Sequence, residues 1–500
     1  MGIVKMPDKQ IITLILPDLG SNKDLGTTLN SLKSIMDKVE VLACGLPEED
    51  RRFPDIKYIQ QATPGNLAFL INTALPFVNS DYCTVVQPGT EISPDLPDIL
   101  IEAVSGSEEY NYLYGDYLQK DQSGSTEMIN ANPCPEDITE REDWGPLEIY
   151  RTSALRDMGG CDETIRFRID YDLHLKLTAD KPVLHIKHPL CTMPFQQPQA
   201  EPGSETLFFP GRGKLGGFSY LFMSPEEEKE TEAIFYRFLE QRGAYLNASS
   251  GSVFPITPKQ SPRVSVVIPV HNRANFLPLA IGSVQGGSFD DFEIIIVDNA
   301  SQDDTLTVAK ALAEKDRRIT VISLEDNVIA KALNRGVEQA KGKYIAQLDS
   351  DDEYTADTLS SMVKQLDEHS DWALAISYYE LMNESGQTLD EFGIIKHAEY
   401  NRNNILRVDG AGAVRVWRKA AIVEFGGFNE DDFGHYGEDY DLVLKVSEKY
   451  EVGRVYEVLY RYRRHPGNSD VLRSHTMKIQ NKTLARQRAL KRRQFINQGK

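Results

Sequence analysis

Three polar clusters in the second half of the chain carry residue types that can do chemistry together. Asp349-Ser-Asp-Asp352 directly follows the apolar stretch Lys343–Leu348. Alternating carboxylates on one turn can share a hard cation, and oxygen ligands suit Mg²⁺ or Mn²⁺, which bind one or two carboxylates plus substrate phosphates. The same residues would also make an ordinary solvated acidic turn. Gly437-Glu-Asp-Tyr-Asp441 opens a helix expected over 440–450. Carboxylates there complement the helix macrodipole, or one of them serves as a general base kept ionised by that position. Arg463-Arg-His-Pro-Gly-Asn-Ser469 adds His465, whose neutral imidazole can ligate a metal or simply sit on a surface loop.

The segments before these clusters are the ones that must position them. Val264–Val270 is an unbroken apolar run, as expected of a strand buried on both faces. A helix over 274–285, a strand over 292–297, a helix over 303–315, a strand over 318–323, a helix over 328–341 and a strand over 343–348 follow. A last strand is expected over 455–462. Alternation of this kind implies an α/β fold with a mostly parallel central sheet flanked by helices and ligands bound at the carboxyl ends of its strands. Pro269-Val-His-Asn272, Asp298-Asn-Ala-Ser301 and Asp349-Ser-Asp-Asp352 all fall at such ends.

The chain is also written twice. Ile11–Pro17 matches Arg263–Pro269, Glu40–Cys44 matches Glu293–Val297, and Asn66–Tyr82 follows Val328–Tyr344 with Asn72 opposite Asn334. Met158-Gly-Gly160 matches Phe425-Gly-Gly427, and Asp170-Tyr-Asp-Leu173 matches Asp439-Tyr-Asp-Leu442. Five matches in one order point to two copies of one fold. The expected organisation is a first copy over 1–223, a helix and linker over 224–262, a second copy over 263–470 and a basic C-terminal helix over 471–500. A Pro/Gly/Ser-rich stretch covers 194–223 and a Pro-rich linker 249–262. Ser224-Pro-Glu-Glu227 reads as a capping box with proline at the first helical position.

Residues 262–470 resemble family 2 glycosyltransferases of the GT-A fold. The resemblance rests on Val267-Ile-Pro-Val-His-Asn-Arg273, on Val297-Asp-Asn-Ala-Ser-Gln-Asp-Asp-Thr305, and on Ala332-Leu-Asn-Arg-Gly336 with Gly342-Lys-Tyr-Ile-Ala-Gln-Leu-Asp-Ser-Asp-Asp352. Phe425-Gly-Gly-Phe428 followed by Glu438-Asp439 completes it. His271 stands where the family more often has Tyr. The resemblance implies two GT-A-like (Rossmann-like, nucleotide-diphospho-sugar transferase) domains in tandem. It implies a nucleotide-sugar donor, with UDP the expected nucleotide, bound by Pro269, His271, Asn272, Arg273, Asp298, Lys331, Asp349, Ser350 and Tyr436. Asp298 would hydrogen-bond the base. Asp351 would be the main ligand of a Mn²⁺ or Mg²⁺ ion, with Asp349 and His465 as further ligands. Phe433, His435 and Tyr436 would line the sugar pocket. Asp439, with Glu438 beside it, would be the base of an inverting transfer to a glycan or lipid-linked acceptor.

The first copy lacks these groups. Asp298 is opposite Gly45, Lys331 opposite Phe69, and Asp349-Ser-Asp-Asp352 opposite Gln87-Pro-Gly-Thr90. Asp170 alone persists opposite Asp439, Glu438 faces Ile169, and Cys191 lies near the place of His465. The first copy is therefore expected to be non-catalytic.

Composition sets the outer bounds. Over 500 residues, 41% are hydrophobic and 26% charged, which is ordinary globular composition. A net charge of -20 repels nucleic-acid phosphates. No apolar run nears the length of about 20 residues needed to span a bilayer. Met1-Gly-Ile-Val-Lys-Met-Pro7 lacks the charged-then-apolar layout of a signal peptide, so a cytoplasmic protein is expected. All five cysteines lie in the first half with no Cys-x-x-Cys pair, which argues against a disulfide framework or zinc. Arg486, Arg488, Lys491, Arg492 and Arg493 give the last helix a basic character that would suit peripheral contact with anionic lipid, or simple docking on its own domain. A homodimer stays open. The rival reading is a non-catalytic nucleotide-sugar or glycan-binding scaffold.

Overall fold

Ile12-Thr-Leu-Ile-Leu-Pro17 shows no alternation of apolar and polar positions, and all of it is buried. Such a run suits a parallel strand covered on both faces. The computed structural model describes residues 10–17, 25–45, 56–59, 66–179, 181–195, 223–247, 252–255, 261–396, 399–408 and 414–499. In it this run forms β1 (Ile12–Pro17). There follow α1 (Leu25–Leu32), β2 (Glu40–Cys44), β3 (Lys57–Ile59), α2 (Leu67–Ala74), β4 (Tyr82–Val85), β5 (Glu91–Ile92) and α3 (Leu96–Ala103). Then come β6 (Tyr112–Lys120), β7 (Thr126–Ile129), β8 (Glu148–Arg151), α4 (Thr152–Asp157), α5 (Ile169–Leu177), β9 (Val183–Met193) and α6 (Pro225–Gln241).

The later residues give β10 (Val264–Val270), α7 (Leu277–Gln285), β11 (Phe292–Asn299), α8 (Thr305–Lys315), β12 (Ile319–Leu324), α9 (Ile329–Gln339), β13 (Tyr344–Gln347) and β14 (Glu353–Tyr354). Next are α10 (Thr358–Glu368), β15 (Trp372–Met382), β16 (Ile394–Ile395), α11 (Ile405–Val408), β17 (Arg415–Arg418), α12 (Lys419–Glu424) and α13 (Glu430–Phe433). The chain closes with α14 (Glu438–Ser447), β18 (Glu451–Arg463), α15 (Ser469–Leu472) and α16 (His475–Asn497). Two compact units result: Met1–Gln199 with Met223–Phe238, and Ala200–Phe222 with Leu239–Lys500. The boundary falls inside α6.

Each unit holds one sheet, and the two sheets have the same topology. The first runs β3-β2-β1-β4-β8-β6-β9-β5 with β7 beside β6; the second runs β12-β11-β10-β13-β17-β15-β18-β14 with β16 beside β15. Register repeats as well. Thr13 pairs with Glu40 as Ser265 pairs with Glu293, and Ile12 with Tyr82 as Val264 with Tyr344. Each sheet is parallel through its first four strands and mixed beyond them. β17 enters antiparallel between β13 and β15, and β14 is antiparallel to β18.

A shared clasp locks the mixed half to the parallel half. Asn334 on α9 donates to Phe428 O at 2.8 Å and Glu430 Oε1 at 2.7 Å, and accepts from Phe428 N at 2.9 Å. Asn72 on α2 does the same with Cys161 and Glu163. The Gly-Gly pairs recognised in the repeat explain the fit. Gly427 and Gly160 have φ of 79° and 88°, and a Cβ on either would lie 2.6 or 2.5 Å from the asparagine Oδ1.

Element limits shift slightly from those expected. α7 starts at Leu277 because Ala274–Phe276 form a turn. Asp303 and Asp304 precede α8 rather than occupying its first turn, and Asp303 accepts from Thr305 N at 3.0 Å. Ser224 caps α6, its hydroxyl accepting from Glu227 N at 3.1 Å. Most of the 194–223 stretch and parts of the 249–262 linker lie outside the described residues.

Candidate functional site

The carboxyl ends of β10, β11 and β13 meet where the second sheet changes from parallel to mixed, the place where an α/β sheet offers a crevice. Pro269 is buried within β10. His271 Nδ1 lies 2.8 Å from Asn299 O. Asn272, at φ 53°, donates its backbone N–H to Ser301 Oγ at 3.0 Å and accepts from Gln302 N at 2.7 Å. These bonds tie the end of β10 to the loop after β11. Asp298, next to last in β11, is almost wholly buried. Its Oδ2 accepts from Ser323 Oγ at 3.2 Å, while Oδ1 is buried with no hydrogen-bond partner.

The turn after β13 carries the carboxylate cluster. Asp351 Oδ2 lies 3.0 Å from Arg273 Nε and 3.0 Å from His465 Nε2. Burial pushes the Asp351 carboxyl up, but the bonds from His465 and Arg273 outweigh it and hold it below the usual range. Burial, reinforced by the charges of Asp351 and Asp439, raises Asp349 to about 7. Asp352 faces the other way and is structural: it accepts from Arg463 N at 2.7 Å and Tyr460 Oη at 2.8 Å. Arg463 Nε also holds Asp351 O at 2.8 Å, fixing the turn. Ser350 is buried beside these groups.

Glu438 and Asp439 begin α14 after Gly437, whose φ of 89° allows the abrupt entry. Asp439 Oδ1 accepts from Tyr440 N at 2.6 Å, and Oδ2 is 2.5 Å from Arg415 Nη2 on β17. Arg415 is mostly shielded from solvent, and the charges of Asp439, Asp349 and Glu438 outweigh that burial and raise its pKa. It thereby links the base candidate to the carboxylate turn. Glu438 is buried, and desolvation together with the Asp439 charge raises its carboxyl well above the usual range. Asp349, Asp351, Glu438, Asp439, Arg273 and His465 thus form one electrostatic neighbourhood.

Other expected residues stand elsewhere. Lys331, on the first turn of α9, is half-exposed and paired with Asp326 at 2.5 Å. Phe433 is fully buried beneath Arg488. Tyr436 O accepts from Asn481 Nδ2 of α16 at 2.7 Å, and Lys482 lies over its ring. His435 is exposed. Sequence reasoning missed Arg415, Tyr460 and Arg463. Only the alignment of the repeat offered a clue, since Arg415 occupies the register position of Glu148 in the first unit.

Among the described residues, no three His, Cys, Asp or Glu side chains are gathered closely enough to hold a metal ion. The donor chemistry nevertheless fits a divalent cation. Asp351 and His465 already touch, and Asp349 is raised by burial and by the charges of Asp351 and Asp439, which a cation would offset. Carboxylate and imidazole donors of this kind suit Mn²⁺.

The first unit has other residues at the places of these groups. Gly45, Phe69 and Gln87-Pro-Gly-Thr90 hold the equivalent places. Thr90 bonds Met193 Sδ at 3.6 Å where Asp352 bonds Arg463 N and Tyr460. Cys191 is the register counterpart of Tyr460, not of His465, because Ile92 pairs with Cys191 as Tyr354 pairs with Tyr460. Counting on, the counterpart of His465 is Gln196, outside the described residues. Asp170 persists, held by Arg168 at 2.9 Å.

Residues 265–424 match the family model for glycosyl transferase family 2. The chain is 27% identical over 283 residues to a chondroitin synthase of Pasteurella multocida, covering 55% of this chain and 29% of that protein. A hyaluronan synthase of the same species is 29% identical over 210 residues, 42% of this chain and 21% of the relative. An uncharacterized glycosyltransferase of Rickettsia bellii is 26% identical over 374 residues, 70% of this chain and 53% of its own length. The chain thus spans from about a fifth to about half of the length of these relatives. Among solved structures, S. aureus TarS 1-349 in complex with UDP is 22% identical, covers 41% of this chain and 61% of its own, and superposes with a TM-score of 0.34. The carboxylate turn lies inside the matched region, whereas Asp439 and His465 lie beyond it. The second unit carries a glycosyltransferase domain of family 2.

Proposed function

We propose that the second unit transfers a sugar from a UDP-sugar to an acceptor hydroxyl of a growing polysaccharide, with inversion and with a divalent cation. The observation that carries this reading is the meeting of Asp351, Asp349, His465 and Arg273 with the Asp439–Arg415 pair at the carboxyl ends of the parallel strands. The buried, unpartnered Oδ1 of Asp298 suits an N–H of the nucleobase, whose bond would satisfy an otherwise costly acceptor. Asp351, Asp349 and His465 would hold the cation, which when bound neutralises the charge growing on the departing diphosphate. Names among the relatives, chondroitin synthase and hyaluronan synthase, support polysaccharide as the acceptor class.

Asp439 is the base. At the N-terminus of α14 and beside Arg415 it is placed to accept the acceptor hydroxyl proton. The acceptor oxygen attacks the anomeric carbon on the face opposite the diphosphate, the bond from that carbon to the phosphate oxygen breaks, and configuration inverts. Glu438, held up by burial, stays neutral beside it. The first unit takes the non-catalytic part, supported by Gly45, Phe69 and Gln87-Pro-Gly-Thr90 at its equivalent positions.

The test is release of nucleoside diphosphate from a panel of UDP-sugars with Mn²⁺ and glycan oligosaccharides. Asp439→Asn should lower kcat by about 10²–10⁴-fold with KM for donor little changed. Binding of UDP without release from any UDP-, GDP- or dTDP-sugar would favour the scaffold reading instead.

A further inference from the structure

Arg273 is held in an unusual way for a residue at a nucleotide edge. Its Nε donates to Asp351 Oδ2 at 3.0 Å, its Nη1 to Asn272 O at 3.1 Å, and its Nη2 to Gly467 O. The same Oδ2 faces His465 Nε2 at 3.0 Å, so both directions in which that oxygen could offer a lone pair are in use. Arg273 stands in the turn between β10 and α7, anchored by its backbone N–H on Thr305 Oγ1 at 2.8 Å. Turning the side chain away would break those three side-chain bonds while leaving the backbone anchor in place. A guanidinium is also a planar fork suited to bidentate contact with phosphate oxygens.

We infer that Arg273 is an internal counter-cation that competes with a metal for Asp351 Oδ2 until a nucleoside diphosphate arrives to take the guanidinium. The inference rests on the proposed donor site. Asp351 Oδ2 cannot serve a cation while Arg273 Nε occupies it. A diphosphate gives Arg273 a competing anionic partner, and Asp351 is released to the metal in the same exchange. Metal and nucleotide then bind with positive coupling, and by linkage each raises the affinity of the other by the same factor. The apparent affinity for metal alone is lowered by the fraction of molecules in which Arg273 is latched.

The test is Mn²⁺ titration of the full chain, followed by loss of the free-ion EPR signal, with and without UDP. Wild type, Arg273→Gln, Arg273→Lys and Asp351→Ala are compared, with melting temperature checked for each. Wild type should bind Mn²⁺ at least tenfold more tightly when UDP is present. Arg273→Gln should bind Mn²⁺ alone several-fold more tightly than wild type and lose most of the coupling, with UDP affinity reduced. Arg273→Lys, which keeps the charge without the fork, should fall between the two and serves if the glutamine variant does not fold. Wild type and Arg273→Gln sharing one Mn²⁺ affinity and one coupling factor would overturn the latch while leaving the donor site standing. Mn²⁺ binding that is absent, or unchanged in Asp351→Ala, would overturn the donor-site reading and the latch with it.

Discussion

Asp349 and Asp351 stand two residues apart yet are driven in opposite directions, the first up to about 7 by burial and its neighbour's charge, the second down by His465 and Arg273. The carboxylates were legible in the sequence because acidic residues at a strand end have few other uses when a base candidate and a histidine follow in order. Arg415 was not, since an arginine in a strand reads as an ordinary outward position until its register with Ile376 and Gln347 is known. Lys331 shows the converse: a residue type matched to the family and a side chain paired with Asp326. In the first unit, Glu148 occupies the place of Arg415, and burial with the Asp170 charge raises it from 4.5 to about 7. A carboxyl whose folded value lies above its unfolded value binds more protons when folded. Stability of that unit is therefore predicted to fall as pH rises from about 4.5 to about 7, with a slope of at most about 1.4 kcal/mol per pH unit. Thermal melts across this range should show the slope in wild type and lose it in Glu148→Gln; an unchanged slope would assign it to other groups.

The asparagine clasps are where helix, turn and sheet depend on one another. Asn334→Ala removes three hydrogen bonds and strands Phe428 N and O, which should cost about 1–3 kcal/mol. Gly427→Ala should cost a similar amount, because it places a Cβ at positive φ against Asn334 Oδ1. Denaturant melts of both single variants and the double variant would show strong non-additivity if the clasp is one unit; simple addition would argue against it. The parallel half of each sheet was legible from apolar runs, whereas the mixed half was not, because β17 and β14 are placed by long connections that leave no local pattern. The last helix reads differently in three dimensions. Arg486 and Arg493 are buried, Arg486 donating to Leu406 O at 3.0 Å, and Arg488 and Arg492 pair with Asp432 and Glu448 at 2.8 Å. Of the five basic residues Lys491 alone is exposed, so docking on the domain accounts for them and a lipid-facing basic patch does not. Combined Arg488→Gln, Lys491→Gln and Arg492→Gln should leave partition onto phosphatidylserine vesicles unchanged while lowering stability by about 0.2–1 kcal/mol per lost pair. A fall in partition would restore the lipid reading.

At the scale of the whole molecule, the repeat seen in the sequence is a repeat of sheet order and register, and only one copy keeps the charged groups. The physical reason it was legible is that strand pairing, the clasp and the strand-end prolines are packing constraints, which are common to both copies whatever residues stand at the strand ends. Among the described residues no helix is long and apolar enough to cross a membrane. The measurement that bears most directly on the account is calorimetric titration of UDP into the intact chain with and without Mn²⁺, using wild type, Asp351→Ala and Gly89→Asp. One UDP per chain, dependent on Mn²⁺, lost in Asp351→Ala and unaltered in Gly89→Asp, is the predicted result. Two UDP per chain, or binding indifferent to Asp351, would contradict a single donor site in the second unit.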